Sequence, residues 1–210
     1  MDIHPPHKPI HSVKDFLIHL LMITIGLFIA LTLEAAVQSM HHRHLVREAH
    51  ENLRREIEDN RSTYAGNVER LRQNRVQLAR DIDQLRDLRN GKKLDNPKLS
   101  WAWSWNSYAD AAWRTARESG AIAYMDSNRI STYSWVYVQQ EYVNAMALSI
   151  VNEETKASAP LQIAGEPAKL SPAQIDTLLL KSAEFALSIE TLESWMKALD
   201  GMYAKALGKN

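Results

Sequence analysis

The stretch FLIHLLMITIGLFIALTLEAAV, Phe16 to Val37, decides how the rest of the chain is read. Its 22 residues rise roughly 33 Å as a helix, matching a hydrocarbon core of about 30 Å. His19, Thr24 and Thr32 are the polar side chains inside it, Glu34 lies near its far end, and no proline interrupts it. A cleaved signal peptide is the rival reading. The apolar run is longer than a usual signal core, and Glu34 to Met40 lacks a small-x-small cleavage pattern. The expectation is therefore an uncleaved single-pass transmembrane helix over 16–37.

At 100° per residue His19, Gly26, Ala30, Leu33 and Val37 share a stripe. Small residues four apart let helices approach closely, so Gly26 and Ala30 form a candidate association face, although short residues also occur in spans without that role. His19 and Glu34 lie within about a turn of an end, where long or amphipathic side chains reach the interface. Lys8 and Lys14 precede the span, while Arg43, Arg47, Arg54 and Arg55 follow it. That count places the C-terminal side in the cytoplasm, but long segments translocate largely regardless of charge, and a short basic leader reads as an N-in anchor. The expectation is a C-terminal domain outside the cytoplasm.

Before the span, residues 1–15 carry Pro5, Pro6 and Pro9 and are expected to form a mobile tail. His4, His7 and His11 have helical ligand spacing, but those prolines forbid the helix. After the span, no helix breaker occurs until Asn90-Gly91, so 38–91 is expected to continue as one long stalk helix. An apolar seam follows Leu53, Ile57, Asn60, Tyr64, Val68, Leu71, Arg75, Leu78, Ile82 and Leu85, a coiled-coil-like stripe that Asn60 and Arg75 interrupt. Periodicity leaves open whether it packs on a second copy or on later helices. The 11 arginines of Arg43–Arg89 alternate with 9 acidic residues, the mark of a solvated, salt-bridged face.

Gly91 is placed to end that helix and Asn96-Pro97 to turn the loop after it. Trp101, Trp103 and Trp105 alternate, which on an extended segment puts the rings on one side. A helix containing Tyr108, Ala112 and Thr115 or Ala116 closes at Gly120; another begins at Asp126 or Ser127 and runs to about Thr155. Lys156 to Leu170 reads as a loop. Ser171-Pro172-Ala173-Gln174 has Ser at the N-cap, Pro at N1 and Gln at N3, a capping box that opens a helix reaching about Ala206. The expected fold is all-α: a transmembrane helix extended into a long helix, with a helical bundle domain of about three helices over 92–210 packing on it.

With 25 basic and 25 acidic residues there is no basic footprint for nucleic acid. With no Cys there is no disulfide, thiolate site or thiol nucleophile. His41, His44 and Glu48 share a helical face and are candidate metal ligands, although His and Arg just beyond a span also meet lipid headgroups. Trp101, Trp103, Trp105, Trp113, Tyr124 and Tyr137 are candidates for an aromatic pocket or for core packing. No phosphate loop, nucleophile elbow or HExxH is present, and no paired carboxylates fall in an expected cleft, so neither an enzyme nor a bound cofactor is expected. The expected partners are the bilayer and another membrane protein, foremost a second copy.

The segment Ala112-Trp113-Arg114-Thr115-Ala116, then Gly120 to Met125, Tyr133, Tyr137 and Gln140, together with IGLFIAL at Ile25–Leu31, resembles a loose group of uncharacterised bacterial single-span proteins. That resemblance implies a bacterial inner-membrane protein with an N-terminal anchor, a long helix and a helical domain. It brings no activity or catalytic residue.

Overall fold

The computed structural model describes residues 12–100 and 103–208, and in these the chain is all-α. α1 runs unbroken from Val13 to Arg89. It starts within the stretch expected to be tail, since Val13, Lys14 and Asp15 are already helical. The helix ends before Gly91, whose φ of 74° is the left-handed conformation expected there. After it come α2, Ala111–Glu118, α3, Ser127–Ala157, α4, Ala159–Ala164, and α5, Pro172–Ala206, with short 3-10 turns at Ala121–Tyr124 and Pro167–Lys169. Two long helices and two short ones thus take the place of the three expected. One difference lies in 156–170, where Ser158 and Pro160 start the helical turn of α4 inside the expected loop. Another is that α2 starts only at Ala111, so Tyr108, expected within that helix, lies in the extended chain before it, where Asn144 rather than a helical neighbour satisfies its backbone. The other boundaries follow local chemistry. Asp126 accepts hydrogen bonds from the N–H groups of Asn128 and Arg129 at the start of α3, and Ser171 and Gln174 close the capping box of α5.

The chain divides into two compact units between Glu48 and Ala49. In the first, α1 carries one window long and apolar enough to cross a membrane, with a mean hydropathy of 2.5 and none of it buried. The threonines in this run satisfy themselves locally: Thr24 Oγ1 donates to the Leu20 carbonyl at 2.8 Å and Thr32 Oγ1 to Ile29 at 2.9 Å. His19 Nδ1 lies 2.7 Å from the Asp15 carbonyl. A polar side chain bonded to its own helix leaves little unsatisfied for an apolar solvent to penalise.

The second unit is a three-helix core made from the remainder of α1, α3 and α5. His50, Glu56 and Asn60 of α1 meet Tyr133, Tyr137 and Gln140, so α3 runs parallel to α1. Arg61, Arg75 and Arg89 pair with Asp200, Glu193 and Asp176, so α5 runs antiparallel. The Arg75–Glu193 and Arg89–Asp176 pairs are largely exposed, worth at most about 1 kcal/mol each, and act on register more than on stability, while Arg61–Asp200 is half-buried. Burial supplies the stability, through Leu53, Ile57, Leu71, Leu78 and Leu85 of α1 against Val136 and Ile150 of α3 and Leu178, Ile189, Leu192 and Leu199 of α5. The seam of α1 is therefore spent largely inside this chain. Val68 and Arg75 of the expected stripe are exposed, Tyr64 and Ile82 are half-buried, and Asn67 and Asp81 are buried instead.

Candidate functional site

In the second unit, residues 98–100 and 103–112 lie along α1, and from Trp103 to Asp110 the chain is neither helix nor strand. An extended chain without a sheet partner leaves its N–H and C=O groups orphaned. Here side chains supply the partners. Gln84 Oε1 accepts from Lys98 N–H and its Nε2 donates to Lys98 C=O, both at 3.0 Å. Asp81 accepts from Ser100 N–H at 3.1 Å. Asn67 accepts from Asn106 N–H at 3.1 Å and donates to Asn106 C=O at 2.8 Å. Asn60 does the same for Ala109, both at 2.8 Å, and Glu56 accepts from Ala112 N–H at 2.9 Å. From α3, Asn144 brackets Tyr108 and Gln140 donates to the Ala109 carbonyl.

The pairing works because a carboxamide presents one acceptor and a donor side by side, as a peptide edge does. The rises also match. From Asn60 to Asn67 α1 climbs about 10 Å, and the three steps from Asn106 to Ala109, the residues they hold, span about 10 Å when extended. The strap therefore runs antiparallel to α1 at about two helix residues per strap residue. Near its C-terminal end Asn60 also donates to Gln140 Oε1 at 3.0 Å, which accepts from Tyr203 O–H at 2.9 Å. Asn60, Gln140 and Tyr203 are buried and form one connected polar network.

The aromatic residues fall into separate groups. Trp103 and Trp105 stack with centroids 6.4 Å apart and near-parallel planes, as alternation on an extended segment requires. Trp105 packs edge-on to Tyr108, and Tyr108 to Tyr203, so these rings are the apolar floor of the strap. Burial pushes the Tyr108 hydroxyl up to about 12. Trp113 stacks on Tyr137 at 5.3 Å. Tyr137 O–H donates to Glu56 at 2.7 Å, and burial followed by that carboxylate raises its pKa. Tyr124 is exposed, and Trp101 lies outside the described residues. Trp135, Tyr142 and Trp195 are also exposed, and Tyr142 meets Trp195 across α3 and α5 at 6.5 Å.

The metal candidates are not gathered. His44 Nε2 lies 3.9 Å from Glu48, its Nδ1 is 3.0 Å from an Arg47 guanidinium nitrogen, and the His41 ring faces His42. Among the described residues no three His, Asp or Glu side chains are placed to hold an ion. Gly26 and Ala30 are both exposed on α1, and a Cβ on Gly26 would meet nothing within 4 Å. The residues missed by sequence reasoning are the strap holders. A signal existed, because the holders Asn60, Asn67 and Asp81 stand at multiples of seven residues beside the apolar seam, although Asn74, the remaining member of that series, has no partner for its Nδ2 among the described residues.

In comparisons with known proteins, no family model, curated protein or solved structure matches this chain.

Proposed function

We propose that this protein is a membrane-anchored helical scaffold, accessory subunit or regulator that acts through protein contacts, including association with its own copies. The observation that carries the proposal is the exposed aromatic patch of Trp135, Tyr142 and Trp195, the first two being 64% and 57% exposed. Trp135 and Tyr142 stand seven residues apart and so share a face of α3. Aromatic side chains of this kind are enriched at interfaces, where they bury large area at low entropic cost. A second contact face is Gly26 and Ala30 in the apolar window. The setting proposed is a bacterial inner membrane crossed once by 16–37, with the helical domain on the periplasmic side.

Crosslinking in membranes and sizing of the full chain in mild detergent test this. Trp135→Ser with Tyr142→Ser, and separately Gly26→Leu with Ala30→Leu, are expected to lower the crosslinked fraction. A parent chain that is monomeric in detergent and yields no crosslinked species in membranes would overturn the proposal. A reporter fused after Asn210 tests the side of the membrane.

A ligand-sensing reading has one observation in its favour. A cleft of about 540 Å³ opens beside Trp103, Trp105, Asn144 and Leu148, and among the described residues the Trp103 and Trp105 indole N–H groups have no hydrogen-bond partner. A ligand there is expected to quench tryptophan fluorescence and raise the melting temperature. A broad screen in which neither moves would remove this reading.

A further inference from the structure

We propose that the cleft where α1, the start of α3 and the end of α5 meet is an anion site for a phosphate-class ligand, contributed by His50, Arg54, Arg129, Tyr133 and Lys205. The cleft has a volume of about 320 Å³, enough for a phosphate group and part of what it is attached to. Its lining brings three formal positive charges from three helices and no carboxylate. Arg54 has Glu58 at 3.6 Å on its own helix. Among the described residues Arg129 and Lys205 have no carboxylate within ion-pair distance. The carboxylate of Asp126, next in sequence to the cleft, is turned to the first N–H groups of α3. Arg129 and Lys205, without an ion-paired carboxylate among the described residues, repel each other in the cleft, and a bound dianion relieves that repulsion.

The hydrogen bonding inside the cleft orders its donors. Arg129 Nη1 donates to His50 Nε2 at 3.2 Å, which leaves the proton of the neutral ring on Nδ1, where it is donated to the Tyr133 hydroxyl. The Tyr133 O–H proton is then free for a ligand oxygen. A forked guanidinium, a mobile ammonium and a hydroxyl fit a tetrahedral, multiply charged oxyanion better than a planar carboxylate. The site stands within the helical unit and does not depend on self-association. Two sources offer the same chemistry, a free phosphate compound and a lipid phosphodiester headgroup. The second is relevant because His50 follows Val37 by only 13 residues in sequence.

The test uses the full chain in lipid nanodiscs, with the thermal midpoint and the His50 imidazole NMR signals as readouts. In one arm, neutral phosphatidylcholine discs are titrated with inorganic phosphate and pyrophosphate. In the other, phosphatidylglycerol is added to the discs without free phosphate. A saturable rise in midpoint with movement of the His50 signals in the first arm supports the site with a soluble ligand; the same response in the second arm alone supports it with a headgroup. In either case Lys205→Gln and Arg129→Gln are expected to weaken the apparent affinity about tenfold or more, the size of one charged hydrogen bond. Lys205→Gln is the cleaner variant, since Arg129 also bonds His50. No response in either arm, or a Lys205→Gln chain that responds as the parent does, would overturn the proposal.

Discussion

Replacing Asn60 separates a carboxamide that completes a network from a polar residue merely tolerated in a core. Asn60 is 2% exposed and makes three hydrogen bonds, two to the backbone of Ala109 and one, fully buried, to Gln140. Asn60→Ala loses all three. At about 1 kcal/mol net each, and with the Ala109 groups only partly shielded from water, the expected loss is about 2–3 kcal/mol. Asn60→Asp keeps the shape but turns an oxygen toward two acceptors, Ala109 C=O at 2.8 Å and Gln140 Oε1 at 3.0 Å. An uncompensated buried charge costs about 3–5 kcal/mol, so the isosteric change is expected to be the worse of the two at pH 7. The introduced carboxyl has a folded pKa above its unfolded value of about 3.9. Its penalty is full above the folded pKa and shrinks as pH falls through it, because the protonated form can donate to Ala109 C=O. The assay is urea unfolding of the full chain in detergent, followed by tryptophan fluorescence, with each variant compared to the parent at pH 7 and pH 5. A deficit for Asn60→Asp that stays the same at both pH values, or variants within about 0.5 kcal/mol of the parent, would refute the assigned role of the amide.

Three further outcomes are expected. Tyr137→Phe removes the hydroxyl bonded to Glu56 at 2.7 Å and should cost about 1.5–3 kcal/mol in the same unfolding experiment, as for other hydrogen bonds to charged groups. Ser171→Ala breaks the capping box of α5; a loss of about 1 kcal/mol is expected, with helix content by circular dichroism nearly unchanged below the transition. Burial, then Arg129 and Arg54, lower the His50 pKa against the opposing pull of Glu51, with Tyr133 of α3 bonded to the ring and Lys205 of α5 across the cleft. The unfolded ring therefore takes up a proton first, so this contribution is constant above about pH 6.5 and declines as pH drops below it. A pH–stability profile should show that decline in the parent and a shallower one in His50→Gln.

How much could be read in advance depended on the range of the interaction concerned. The start of α5 was legible because Ser171, Pro172 and Gln174 satisfy the first N–H groups of a helix from within four residues. Asp126 does the same for α3, and Gly91 ends α1 by adopting a backbone conformation that other residues resist. Asn60 stood out only as an interruption of the apolar stripe. Its partners lie 49 and 80 residues away, and nothing local distinguishes an asparagine that grips a distant backbone from one that faces water. The α4 turn was missed because Pro160 and Gly165, ordinary loop punctuation, here sit inside and just after one short helix. Pocket and core both remain open for the aromatic residues when only composition is read, because composition cannot separate Trp103 and Trp105, half-buried on the strap, from Trp135, which faces outward.

The sequence by itself determined the all-α class, the apolar window at Phe16–Val37, and most helix ends, because hydropathy, periodicity and capping act over one to a few helical turns. Tertiary structure alone decided where the seam of α1 is used, which polar residues hold the strap, and that His50, Arg54, Arg129 and Lys205 share a cleft. Those outcomes depend on which surfaces meet once three helices pack. Segments far apart in the chain pay closure entropy to meet, and only the sum of buried area and satisfied polar groups over the whole unit selects their arrangement.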